Sequence, residues 1–87
     1  MTSTAAVSVP IEVASILRHV LRDADLDAGS TARLEDLPGW DSMAHIAVIV
    51  EAECRFGIEF DLPEIEAVQT VGDLIDLIEA RTGPVDS

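Results

Sequence analysis

Aliphatic side chains recur at helical spacing in three separate runs of this chain, which leaves it little to fold into except packed helices. Val13, Ile16, Leu17 and Val20 follow the i, i+3, i+4, i+7 rule, as do Val71, Leu74, Ile75 and Ile78. Between them, Val48, Ile49, Ala52 and Phe56 fall on one side of a third helix at 100° per residue. Only Trp40, Phe56 and Phe60 are aromatic, so the core must be built from Ile, Leu, Val and Ala, which suits helices better than a β-sandwich. No hairpin signal competes. The expected fold is all-α: a four-helix bundle with a short third helix and a long loop between helices 1 and 2.

Local signals set the boundaries. The first helix is expected from about Pro10 to Ala24, with Pro10 tolerated in a first turn whose amides have no helical acceptor. A loop then runs from Asp25 to Trp40, broken by Gly29, Pro38 and Gly39 and pinned by Leu26, Leu34 and Leu37. Loops of this length in small domains are functional or disordered. The second helix is expected from Ser42 to about Phe56, capped by Asp41 and stopped by Gly57. A short third begins after Asp61, with Glu64 completing a capping box and Pro63 in the first turn, and ends near Val68. The fourth spans Val71 to about Arg81, with Thr70 as cap, Asp73 at the third position, and Gly83-Pro84 as the stop. Residues 1–8 are read as a disordered N-terminus, 9–82 as the folded domain and 83–87 as a flexible tail.

With 87 residues the chain has room for one small domain and little for a deep substrate pocket beside its core, which tilts the reading from enzyme to carrier or binding module. The formal net charge of −12, from 17 acidic residues against five arginines, argues against nucleic-acid and anionic-membrane partners. It favours partners with basic docking patches. Cys54 is the lone cysteine, so no internal disulfide or Cys/His zinc site is expected. The start Met1-Thr2-Ser3-Thr4 lacks a basic n-region, and the run from Ile46 to Val50 is too short to span a bilayer; a cytoplasmic monomer is expected.

The chemistry centres on Gly39-Trp40-Asp41-Ser42-Met43, which sets a serine hydroxyl in the first turn of a helix, after an acidic cap and at the end of a long loop. Open backbone amides and the helix dipole favour an anion there, such as a phosphodiester on that hydroxyl. Serine is also common at helix starts for capping reasons alone. The helix that follows has a second apolar side, Met43, Ile46, Ala47, Val50 and Cys54. Either it packs on nearly all sides, or this strip is exposed and marks a partner surface.

Asp41-Ser42-Met43, followed by a helix ending Phe56-Gly57-Ile58, resembles the acyl carrier protein signature, an Asp-Ser-Leu-type motif before the second helix. Phe60, the short helix around Glu64–Val68 and Thr70-Val71-Gly72-Asp73-Leu74 follow in the same order, and the resemblance covers about residues 9–82. It implies a stand-alone carrier, itself no enzyme. A phosphopantetheinyl transferase using coenzyme A and magnesium would attach 4'-phosphopantetheine to Ser42, beside Asp41 of the motif. The arm would pass an acyl or aminoacyl thioester from a loading enzyme to an acyltransferase or ketosynthase-type acceptor. By position, Met43, Ile46, Ala47, Val50 and Glu53 become the docking residues. The chain departs from the pattern at Met43, where leucine is usual, and at Ala44, Ala47 and Cys54, which are often acidic in fatty-acid carriers. With Trp40, these departures resemble carriers of polyketide or nonribosomal peptide assembly; the alternatives are a housekeeping type II fatty-acid carrier or an unmodified helical adaptor. Fewer acids on the second helix imply partner binding that depends less on salt.

Other motifs carry less. Asp23-Ala24-Asp25-Leu26-Asp27-Ala28-Gly29 starts like a calcium loop, but its glycine is one place late and Leu34 stands where a bidentate glutamate belongs. Asp41, Ser42 and His45 lack the elbow and oxyanion hole of a hydrolase. His45 reads as a half-buried helix residue, His19 as a surface one, Trp40 as a loop residue capping the core, and Glu35-Asp36 and Glu64/Glu66 as solvated surface.

Overall fold

Four α-helices and one turn of 3-10 helix carry the aliphatic stripes inward in a computed structural model that describes residues 8–82. Helix α1 is Val9–Leu21, α2 Ser42–Phe56, α3 Leu62–Ala67 and α4 Val71–Thr82, and Leu34–Asp36 forms the 3-10 turn. Among the described residues there is no strand, only an isolated bridge between Arg33 and Thr70. The bounds expected for residues 1–7 and 83–87 lie outside the described residues.

The core is Val13, Ile16 and Leu17 of α1, Val48, Ile49 and Ala52 of α2, and Val71, Leu74 and Ile78 of α4, closed by Leu34, Leu37, Phe60 and Val68 from the connections. Each fully buried Val, Leu or Ile contributes about 1.5–3 kcal/mol, so these residues dominate stability. Helices α1 and α2 run antiparallel: Arg55 near the end of α2 pairs with Glu12 at the start of α1 at 3.1 Å and with Glu51 at 3.0 Å.

Helix α1 stops three residues before the expected Ala24. Arg22 takes a left-handed backbone (φ 56°), and the Asp23 amide donates to Arg18 O at 3.0 Å. The Asp23 side chain then accepts the Asp25 amide at 3.1 Å. An aspartate that offers the backbone such a turn competes directly with another helical turn.

The loop after α1 is held from the opposite end of the chain. Leu34 N–H donates to Gln69 O at 2.9 Å, Val71 N–H to Ala32 O at 3.0 Å and Gly72 N–H to Ser30 O at 2.7 Å. A side chain on Gly72 would put its Cβ 2.9 Å from Ser30 O, so glycine permits the approach. Thr70 caps α4 by accepting the Asp73 amide at 3.0 Å, while Asp73 accepts the amides of Gln69 and Thr70 at 3.1 Å each. Glu64 is not idle surface: it accepts the Asp61 amide at 2.9 Å and pairs with Arg81, fastening α3 to the end of α4.

Candidate functional site

Ser42 is the first residue of α2 and is exposed. Gly39, at φ 83°, turns the loop toward it, a conformation that costs glycine nothing. Asp41 caps the helix, its carboxylate accepting the Ala44 amide at 2.8 Å. The His45 amide donates to Asp41 O at 3.0 Å. That leaves the Ser42 and Met43 amides, and the Ser42 hydroxyl, without a hydrogen-bond partner among the described residues. The site is a free hydroxyl beside two free amides at the positive end of a 15-residue helix.

His45 does not turn toward that hydroxyl. Its Nε2 lies 3.0 Å from Ile65 O, so Nε2 carries the proton and donates, tying α3 onto α2. Trp40 is half-buried, packs on the core and meets the His45 ring edge-on, with centroids 5.8 Å apart and planes at 85°. Among the described residues, no side chain hydrogen-bonds the serine hydroxyl.

The second apolar side of α2 faces outward. Met43 is 75% exposed, Ile46 51% and Val50 49%, and Ala47 and Cys54 are exposed as well, while Ala44, Val48, Ile49 and Ala52 fill the core. A helix packed on nearly all sides is thereby ruled out. Glu53 lies about two turns beyond Ile46 on the same side of α2. Its carboxylate accepts the Phe60 amide at 2.9 Å, securing the α2–α3 connection, and it is half-buried. The resemblance gives Glu53 as a docking residue by position, and its bond to the Phe60 amide adds a structural part.

Residues 12–78, most of the chain, match the family described as the phosphopantetheine attachment site. An acyl carrier protein of Thermotoga maritima is 31% identical over 72 residues, 83% of this chain and 89% of that protein. The chain belongs to the acyl carrier protein family. An acyl carrier protein of Tropheryma whipplei is 34% identical over 70 residues, 76% of this chain and 84% of its own. The solution structure of the holo acyl carrier protein from Geobacter metallireducens superposes with a TM-score of 0.77 at 30% identity, covering 84% of each chain. The covalent group of this carrier family is 4'-phosphopantetheine. The start of α2 fits such a group: an exposed hydroxyl can bear a phosphodiester, and two free amides can receive its oxygens.

Proposed function

We propose that Ser42 bears the 4'-phosphopantetheinyl group and that the strip Met43, Ile46, Ala47 and Val50 is the surface partner enzymes read. The observation that carries the reading is the free Ser42 hydroxyl at the exposed first turn of α2, directly beside that strip. In loading, the Ser42 oxygen attacks the β-phosphorus of coenzyme A on a phosphopantetheinyl transferase with magnesium. The new P–O bond to serine replaces the one to 3',5'-ADP, and the hydroxyl proton passes to the transferase. Once attached, the arm supplies a terminal thiol that holds an acyl or aminoacyl group as a thioester.

This chain's own residues do three things in that scheme. The Asp41 cap fixes the first turn, and the free Ser42 and Met43 amides stabilise the phosphodiester. Exposed apolar side chains give docking area to a loading enzyme and to an acyltransferase or ketosynthase-type acceptor. The first turn of α2 has no acidic residue, so the strip relies on apolar contact more than on charge. Together with Trp40 ahead of the serine, this supports a carrier of polyketide or nonribosomal peptide-type assembly over one of housekeeping fatty-acid synthesis. The carrier domain is residues 9–82, acting as a cytoplasmic monomer; no described helix is long and apolar enough to cross a membrane.

Intact mass after incubation with coenzyme A, magnesium and a broad-specificity transferase tests the assignment. A gain of one phosphopantetheinyl group, lost in Ser42→Ala, is expected. A full gain in the variant would move the attachment elsewhere.

A further inference from the structure

At the end of α1 the surface charge reverses sign beside the docking strip. His19 and Val20, with Arg22 at the cap of α1, face Ala47 and Glu51 of α2 across an open groove of about 260 Å³. Ala47 belongs to the apolar strip, so this groove is the strip's own edge. His19 and Arg22 also line a second hollow, which they share with Arg18 and Asp23. Ala47 lies five residues beyond Ser42, about 7.5 Å along the helix axis. A protein partner of ordinary size buries about 800 Å² per side, so an enzyme centred on the serine covers the groove as well.

The arginines here differ from the others. Arg33 pairs with Glu35, Arg55 with Glu12 and Glu51, and Arg81 with Asp61 and Glu64. Arg18 and Arg22 are exposed and meet no carboxylate among the described residues, although the chain has 17 acidic residues. Arg18 donates only its Nε–H, to Leu26 O at 3.0 Å. Of the acids lining the two hollows, Glu51 is neutralised by Arg55 at 3.0 Å, which leaves Asp23 alone against two open guanidiniums. The dipole at the end of α1 favours cations in the last turn and accounts for their sign. It does not account for two guanidiniums standing open beside the strip in a chain of net charge −12.

We infer that the protein partner reading the α2 strip brings carboxylates to Arg18 and Arg22, with an acidic flank of that partner lying across the α1–α2 groove. The inference rests on the strip being a docking surface, and it gives the partner a sign. Net charge alone favours a basic partner, whereas the open groups at this edge call for the opposite. Apolar contact is non-directional and lets a partner rotate about α2. A charge pair at one edge fixes orientation and register. A partner displaced towards the loop would set its carboxylates over the exposed Asp25 and Asp27 and be repelled. The strip thus supplies contact area, and the arginines select the partner and its pose.

Two helical peptides with the same apolar face test this, one with two glutamates along its flank and the other with two lysines there. Each is titrated at low salt into isotope-labelled protein and followed by NMR. The glutamate peptide is expected to shift Ile46, Ala47, Val50 and Arg22, and to bind about three- to tenfold more tightly than the lysine peptide. Arg22→Glu should reverse that order. The Arg22 side chain makes no hydrogen bond or ion pair among the described residues, so the fold does not depend on it, and circular dichroism checks this. Equal or tighter binding of the lysine peptide to the parent, as net charge alone would give, overturns the inference. So does a preference for glutamate that survives Arg22→Glu unchanged. If neither peptide moves Ile46 and Val50, the strip and this inference fall together. Intact mass of the parent after loading reports separately on Ser42.

Discussion

Replacing Gly72 by alanine should loosen the loop that leads to Ser42, although alanine is the better helix former. Two effects oppose each other. In a helix, Gly→Ala gains up to about 1 kcal/mol. Against this, the new Cβ would lie 2.9 Å from the backbone oxygen of Ser30, and a backbone atom cannot swing aside as a side-chain tip can. Relief requires the Ser30–Ala32 segment to retreat, breaking Gly72 N–H to Ser30 O at 2.7 Å and Val71 N–H to Ala32 O at 3.0 Å. Each bond contributes about 1 kcal/mol net, and loss of the adjoining Leu34–Gln69 bond would add as much again. The balance is a destabilisation of about 1–2 kcal/mol, or a fall in Tm of roughly 5–15 °C for a domain this size. Thermal unfolding followed by circular dichroism measures it, with Gly29→Ala as the control. Gly29 has nothing within 4 Å of a new Cβ, so that change should be neutral or stabilise by up to about 1 kcal/mol. A Gly72→Ala protein that melts at or above the parent would refute the argument that this close approach anchors the loop.

Three further outcomes follow from the same geometry. Ile46→Glu and Val50→Glu should change stability by less than about 0.5 kcal/mol, since both side chains are about half exposed, yet weaken capture by a partner enzyme; equal capture by variant and parent would sink the docking surface. Glu53→Ala should cost about 1–2 kcal/mol by freeing the part-buried Phe60 amide, with Ser42 loading rates unchanged; denaturant unfolding and loading kinetics separate the two effects. Hydrogen bonds from the Asp61 amide, then Arg81, hold the Glu64 carboxyl below its ordinary range, and the Gln69 and Thr70 amides do the same for Asp73. Carboxyls depressed by folding stabilise the native state above their unfolded pKa of about 4 and lose that contribution as pH falls through the folded value. Glu64→Gln and Asp73→Asn should therefore flatten the decline in Tm below about pH 4, and an unaltered acid limb would count against these bonds.

Much of this design is legible in the chain because its signals are local. Asp41 and Gly57 mark both ends of α2 as the structure has them, and Thr70 with Asp73 marks the start of α4. Helix α1 ends early because Asp23 competes for its backbone, a tendency that hydrophobic periodicity does not register. The remaining differences depend on partners distant in sequence. Glu53 finds the Phe60 amide only once the chain has turned at Gly57, and His45 finds Ile65 O only once α3 has folded back. The outward strip of α2 was visible as a second apolar face, but its exposure depended on how many sides the other helices could cover. Its free hydroxyl at Ser42 was placed by cap chemistry alone.

The stitching of residues 30–34 to residues 69–72 also imposes an order in time. On a ribosome adding about 5–20 residues per second, Ser42 emerges well before Gly72, so the serine exists for seconds without the segment that fixes the loop ahead of it. Closing that long connection costs entropy that is regained only when the two ends meet. The loop ahead of Ser42 therefore reaches its folded shape only after residues 69–72 have been made.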